Sequence, residues 1–350
     1  MNEEYHFEWK VKIPEKIISD AKYFGNLKQE VIDAEICSHC GTCACICPAC
    51  GITVGDKPID FPNWEQLCVD CGACIKVCPR WKYKPLNGVG EFLEMHSARS
   101  NRLEGQDGGM VTEIMNTALE LGIIDRAVFV SKDEKMKPEM FHVRSIDQLK
   151  HDKLRGTKYC FAEVLPELRK AIFLTKKGVG VVGTPCMVSG IRKLQNNIPE
   201  YSEKVKLVVG LFCTENFYHW QLYDFLKNNK NADLREVLKT NIDKGNFIVS
   251  LKDGSEVIFS VKEFDPIIPS GCKVCQDFSA IESDVSVGSV GSKNGYSSVI
   301  VRKEIAKQIM DYIIEKKYAT LGKLMPELIT KLANFKIKIH PYPKKKKKEE

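Results

Sequence analysis

From about Leu86 onward, the hydrophobic pattern of this chain alternates between short continuous apolar runs and stretches whose apolar positions fall three and four residues apart. Arg126 to Ser131 (RAVFVS), Gly178 to Gly183 (GVGVVG) and Lys206 to Phe212 (KLVVGLF) read as buried strands. Gln106 to Leu121, Lys158 to Lys170 and Ser189 to Gln195 read as helices between them. This alternation predicts an α/β body with a mostly parallel open sheet covered by helices. Phe247 to Leu251 and Glu256 to Val261, separated around Asp253 and Gly254, predict a hairpin. Lys303 to Lys317 and Leu324 to Leu332 predict helices that cap the body. In residues 1–36, Ile17, Ile18, Phe24, Leu27, Val31 and Ile32 stand among charges, as in an extension that packs on the rest.

The chain has 350 residues, 43% of them apolar and 28% charged, which excludes a disordered or collagenous chain and fits about two domains. No apolar run reaches the roughly 18 residues of a membrane span, and the start lacks a secretory pattern, so a soluble cytoplasmic protein is expected. The formal charge of +6 is a poor guide to nucleic acid, because the closing KKKKKEE supplies five positive and two negative charges, half of the excess. That run reads as a solvated tail.

Fifteen cysteines change the picture. In a cytosolic chain such a number points to metal binding or redox chemistry rather than disulfides. Ten lie between Cys37 and Cys78, eight of them as the cysteines of two copies of C-x2-C-x2-C-x3-C-P, CSHCGTCACICP and CVDCGACIKVCP. This is the spacing of bacterial two-cluster ferredoxins: three thiolates wrap one corner of a cubane while the fourth reaches the other cluster. The reading assigns Cys37, Cys40, Cys43 and Cys78 to one [4Fe-4S] cluster and Cys68, Cys71, Cys74 and Cys47 to the other, in a small α+β domain. Zinc would leave the third cysteine of each triplet without a role. Cys45 and Cys50 fall outside the pattern and read as ordinary thiols, as does Cys160.

Within the body, GVGVVG satisfies a dinucleotide-binding pattern, but its valines place it inside a strand rather than after one. A better phosphate candidate is GQDGGMVTEIM, Gly105 to Met115, where adjacent glycines at a helix mouth expose N–H groups to an anion such as a flavin pyrophosphate. Cys186 after one strand, Cys213 at the end of another, and Cys272 with Cys275 in a C-x2-C are expected at loop positions. From there they can converge at the carboxyl edge of the sheet, where α/β folds bind ligands.

Five blocks, GQDGGMVT, GTKY, VGTPC, GLFC and CKVCQDFSAIESDVSVGSVGSKNGYSSVIVR, resemble the coenzyme F420 hydrogenase/dehydrogenase beta-subunit family over about Glu94 to Arg302. With the ferredoxin repeat in front, the chain is similar to the F420H2 dehydrogenase input subunit type within it. The resemblance implies a bound FAD, coenzyme F420 as substrate, and a third [4Fe-4S] cluster on Cys186, Cys213, Cys272 and Cys275. Carried over block by block, it implies that Gln106, Asp107, Gly108, Gly109 and Thr112 hold FAD, that Lys158 sits near the flavin ring and that Thr184 and Pro185 wall it. Ser289, Gly291, Ser292 and Lys293 would line the deazaflavin or phosphate side, and Lys153, Arg155, Lys158 and Lys293 would form a basic entrance. Met187 stands where the family often has Gln.

The implied activity is an archaeal-type iron-sulfur flavoprotein that exchanges hydride between F420 and FAD and passes single electrons to or from a partner, with no side chain needed as acid or base. The partner classes are a membrane F420H2 dehydrogenase, or a soluble carbon monoxide, formate, hydrogen, sulfite or heterodisulfide enzyme, which would place the chain in the cytoplasm or at the membrane periphery. Nucleic acid is not expected. The alternatives are a ferredoxin-dependent reductase of another organic substrate such as a tetrapyrrole, and an electron-transfer or assembly subunit with no substrate site. The expected organisation is an extension (1–36), a two-cluster ferredoxin domain (37–85), an FAD- and F420-binding domain (86–335) and a basic tail (336–350).

Overall fold

The computed structural model describes residues 14–84, 87–145, 147–148 and 156–342. The expected basic candidates Lys153 and Arg155 and most of the lysine tail lie outside these residues. The cysteine-rich segment is built from short helices, α1 (Tyr23–Leu27), α2 (Thr42–Ile46), α3 (Trp64–Leu67) and α4 (Ala73–Lys76). Its two repeats share one backbone course: His39 and Asp70 have φ of 54° and 57°, and Gly41 and Gly72 have φ of 79° and 71° just before α2 and α4. Between the repeats, Thr53 and Asp60 form an antiparallel bridge. Phe24, Leu27 and Val31 from the preceding segment are buried in the same core as the repeat cysteines, so this stretch forms part of their wall.

The body runs β1 (Glu94–Ser100), α5 (Met110–Glu120), β2 (Arg126–Lys132), β3 (Pro138–Val143), α6 (Val164–Leu174), β4 (Val179–Gly183), α7 (Pro185–Asn197), α8 (Pro199–Lys204), β5 (Val205–Leu211) and α9 (His219–Lys230). It continues through β6 (Val237–Asp243), β7 (Asn246–Leu251), β8 (Glu256–Ser260), α10 (Ser270–Lys273), β9 (Val285–Gly288), β10 (Ser297–Val301), α11 (Glu304–Glu315), β11 (Ala319–Gly322) and α12 (Pro326–Ile339).

Eight strands form one sheet in the order β11-β1-β10-β9-β5-β4-β2-β3. β2, β4, β5 and β9 pair in parallel, and β3, β10, β1 and β11 join by antiparallel contacts, so β1 points the same way as those four. Alternate side chains fill opposite faces. Val128, Val181 and Val208 meet Leu165, Leu168, Ile191 and Leu194 of α6 and α7, whereas Ala127, Val182 and Val209 meet Met110, Ile114, Ile309 and Met310 of α5 and α11. The expected hairpin forms as β7 and β8, and β6 adds a third antiparallel strand whose core includes Phe247, Val249 and Phe259.

Several boundaries differ from expectation for local reasons. The Gln106 helix opens only at Met110, because Gly109 is left-handed at its N-cap with φ of 70°. The Lys158 helix opens at Val164, because Cys160 instead bridges Phe217. Cys186 and Cys272 are not on loops: Pro185 pre-sets the first helical position of α7, so Cys186 lies in its first turn, and Cys272 lies in α10. The last helix runs past Leu332 to Ile339, so Lys336, expected in a solvated tail, is buried.

Candidate functional site

All fifteen cysteines are free thiols, and twelve of them fall into three quartets. Cys37, Cys40, Cys43 and Cys78 line one space of about 310 Å³ with Leu27, Val31, Ile59 and Arg80. Cys47, Cys68, Cys71 and Cys74 line another of about 300 Å³ with Tyr23, Phe24, Ile52 and Phe61. Among the described residues, no three His, Cys, Asp or Glu side chains converge as ligands of a metal ion. The thiols surround a volume instead of meeting at a point.

Cys186, Cys213, Cys272 and Cys275 make the third quartet, close enough for each thiolate to raise the proton affinity of another. Burial pushes Cys186 up to about 11 and Cys272 up to about 12. Cys275 is the exception. Burial opposes its ionisation, but the Lys336 ammonium and Arg80 guanidinium outweigh that and hold its thiol below the ordinary value. Lys336 Nζ donates to the Cys213 carbonyl at 2.7 Å, to the Asp277 carbonyl at 2.8 Å and to Cys275 Sγ at 3.7 Å. Neither cation was legible as part of a site, since one follows the second repeat and the other sits in an apparent tail.

The quartets form a row. Cys74 acts on Cys43, joining the two repeat spaces, and Cys40 acts on Cys186, joining the repeat to the body. At that junction a Cβ on Gly271 would lie 1.8 Å from the Cys37 carbonyl oxygen, so only glycine allows the α10 backbone to rest on the repeat. Arg80 Nη2 donates to the Gly271 carbonyl at 3.3 Å. Tyr218, hydrogen-bonded to His39 at 3.0 Å, feels the charges of both Cys37 and Cys272. Burial alone lowers His39 to about 4, so it stays neutral there. Cys45 is buried with its thiol 3.1 Å from the Tyr201 hydroxyl, Cys50 is exposed and Cys160 is buried.

The expected flavin residues collect at the same carboxyl edge. A Cβ on Gly108 would lie 2.3 Å from the Ala98 carbonyl oxygen and 2.4 Å from the Ser297 nitrogen, which fixes the mouth of α5 against β1 and β10. Gln106 Oε1 accepts from the Thr157 N–H at 2.6 Å, tying this mouth to the GTKY segment. Thr112 lies on the first turn of α5, and Thr184 stands at the N-cap position of α7 with its hydroxyl 3.4 Å from Cys186 Sγ. Pro185 is buried. Tyr159 connects the two groups, because burial and then the charge of Asp107 raise its phenol, with Glu215 and Cys213 adding to the effect.

Lysines line this region. Burial and then Lys132 lower Lys158 to about 7, and burial lowers Lys132, whose Nζ donates to the Leu238 carbonyl on β6. Burial raises Asp107, against which Lys239 of β6 acts. Lys132 and Lys239 had no sequence signal, since only tertiary folding brings the small sheet over the mouth of α5. Ser292, Gly291 and Lys293 are engaged within the β9–β10 loop. The Ser292 hydroxyl meets Ser298 at 2.7 Å, Gly291 packs on Met325 and Ile329, and Lys293 lies 4.5 Å from the centre of the Tyr296 ring. Ser289 follows β9 at the same edge.

The body is a mixed α/β domain with a thiol-rich, lysine-lined carboxyl edge. Residues 95–169 match the N-terminal part of the family described as coenzyme F420 hydrogenase/dehydrogenase, beta subunit, and residues 176–327 match its C-terminal part. The chain belongs to this family of F420-dependent oxidoreductase subunits. It is 36% identical over 326 residues to a coenzyme F420-dependent sulfite reductase of Methanocaldococcus jannaschii, covering 88% of this chain but only 50% of that relative, so it spans half of its length. It is 31% identical over 322 residues to the F subunit of the F(420)H(2) dehydrogenase of Methanosarcina mazei, covering 88% of this chain and 91% of that one. A chain from the F420-reducing [NiFe] hydrogenase complex of Methanosarcina barkeri superposes with a TM-score of 0.68 at 31% identity, over 72% of this chain and 90% of that chain. Among the described residues no helix is long and apolar enough to cross a membrane.

Proposed function

We propose that the chain exchanges hydride between coenzyme F420 and a bound FAD, and passes single electrons through three [4Fe-4S] clusters to or from a partner redox enzyme. The observation that carries this reading is the unbroken row of three thiol quartets whose body end adjoins the Tyr159 region where the flavin candidates gather. When bound, FAD exchanges an electron pair with F420 and single electrons with the clusters. Four thiols facing one shared space suit a polynuclear centre, whose irons and sulfides hold the ligand sulfurs apart. Burial and mutual repulsion raise Cys37, Cys43 and Cys74, so these thiols ionise favourably only around a cationic core.

The residues have distinct tasks. Gly108, Gly109 and the first N–H groups of α5 offer the positive helix end to a pyrophosphate, with Gln106, Asp107 and Thr112 around it. Burial and the Lys132 charge together lower Lys158, and Lys239 lies nearby on β6, a basic setting that suits the phosphate-bearing and glutamate-bearing tail of F420 better than an apolar tetrapyrrole. Thr184 and Pro185 wall the ring beside Cys186. Lys336 and Arg80 offset the negative charge that the third quartet acquires, and the apolar walls exclude water. The relatives' names, as subunits or parts of F420-dependent sulfite reductase, dehydrogenase and hydrogenase, support a partner of that kind for this chain.

The test is anaerobic oxidation of reduced F420 by the purified chain with a viologen as one-electron acceptor. The reading predicts turnover and about twelve irons per chain for three four-iron clusters. Full cluster content without F420 oxidation would leave an electron-transfer subunit and refute the substrate assignment.

A further inference from the structure

Helix α12 has two apolar faces, and the fold uses one. Ile329, Ala333, Lys336 and His340 point inward, four, three and four residues apart: Ile329 and Ala333 pack with Phe278 and Ile300, and Lys336 and His340 reach the third quartet. Beside them, Met325, Leu328, Leu332, Phe335 and Ile339 follow one another at intervals of three, four, three and four. Four of these are exposed: Met325 by 36%, Leu328 by 39%, Phe335 by 52% and Ile339 by 49%. Leu332 is half-buried. A 3-4-3-4 spacing is the a/d seam of a coiled coil, which presents knobs to the holes of a second helix. Lys331 and Lys338, each one residue before an a position, are exposed on its open flank. Neither pairs with an acid among the described residues. The other flank, Ile329 and Lys336, is turned into the body.

We propose that α12 is a docking surface for an amphipathic helix of a partner protein whose seam is flanked by acidic side chains. Heptad spacing selects a helix as occupant, and the flanking lysines select its charge, because g-position cations pair with acidic residues across a coiled-coil interface. A second copy packed antiparallel would bring these lysines opposite each other. A lipid surface calls for a broader apolar face than a seam of two residues in seven.

The test uses the full-length chain purified anaerobically with its cofactors. The probe is a fluorescent heptad-repeat peptide with leucine at a and d and glutamate at e and g, followed by anisotropy. The chain is expected to bind it, Leu328→Ser with Phe335→Ser to weaken binding by about tenfold or more, and Lys331→Glu with Lys338→Glu to shift preference to the same peptide carrying lysine at e and g. Retained circular dichroism and iron content show that each variant is folded. Peptide binding that is absent, or unchanged by these substitutions, overturns the proposal. So does a seam that instead drives self-association in sedimentation, or adsorbs to phosphatidylglycerol vesicles, with loss of either in Phe335→Ser. Iron, flavin and F420 oxidation in the same preparations test the redox reading separately, so the two can fail independently.

Discussion

The quartet of Cys47, Cys68, Cys71 and Cys74 and the quartet of Cys186, Cys213, Cys272 and Cys275 present the same donor atoms in different electrostatic settings. At the first, burial and then neighbouring thiolates raise Cys74, while Lys22 and Arg169 donate to the Cys68 and Cys47 carbonyls. At the second, Lys336 and Arg80 are both buried and hold Cys275 below its ordinary value against the effect of burial. The first is made by a contiguous loop and a local turn. The second is assembled from α7, the end of β5 and α10, with its cations supplied by α12 and by the segment after the repeat. The lesson is that repetition in sequence can set out ligands, but graded charge along a row of centres is a tertiary property. Adding an electron is easiest where buried cations stand nearest.

The largest effect is expected of Cys275→Ser. It should remove about four of about twelve irons and deprive buried Lys336 and Arg80 of their largest counter-charge, at a cost of roughly 3–5 kcal/mol. An iron assay with denaturant unfolding checks both, and unchanged iron content would remove Cys275 from the ligand set. Gly271→Ala attacks the junction between the two settings. With a Cβ forced toward the Cys37 carbonyl, stability should fall by roughly 1–3 kcal/mol and stopped-flow reduction of the repeat centres should slow at full iron content. Equal rates in variant and parent would deny the junction its role.

Lys336→Met sharpens the comparison. Loss of this charge should lower the midpoint potential of the body centre by about 60 mV, the equivalent of about 1.4 kcal/mol, and leave the centre at Cys47, Cys68, Cys71 and Cys74 unmoved. Redox titration followed by electron paramagnetic resonance separates the two, and equal shifts at both would show the contrast to be empty. The smallest effect is expected at Lys158. Burial and Lys132 bring its amine to about 7, so its charge is present below that pH and lost above it. Affinity for anionic F420 should therefore fall between about pH 6 and 8. Lys158→Met should abolish this slope and weaken binding about tenfold at the acid end, as measured by F420 fluorescence.

Much of this was legible from local pattern. The C-x2-C-x2-C-x3-C-P repeats specify their own turns, so Cys37 to Cys78 line their spaces as the spacing demands. The valines of GVGVVG mark β4, and the alternation of runs marks the parallel centre of the sheet. The other strands were harder to read. β1 reads EMHSARS, β6 is polar on its outer face, and β9 and β11 have four residues each, so none carries a strong period. The body thiols were found through their neighbourhood in chain order rather than through periodicity. Lys336, Arg80, Lys132 and Lys239 act through contacts across the fold, which no local window contains.

The central claim is that electrons enter as a pair at the body and leave singly along three centres. Its most direct test is an anaerobic titration of the cofactor-loaded chain with reduced F420, following flavin absorbance and electron paramagnetic resonance together. The account predicts that the flavin bleaches and reduced-cluster signals appear, with each F420 supplying two electrons that are shared among one-electron centres. Clusters that remain oxidised while the flavin is fully reduced, or a flavin untouched by F420 with every cluster in place, would contradict it.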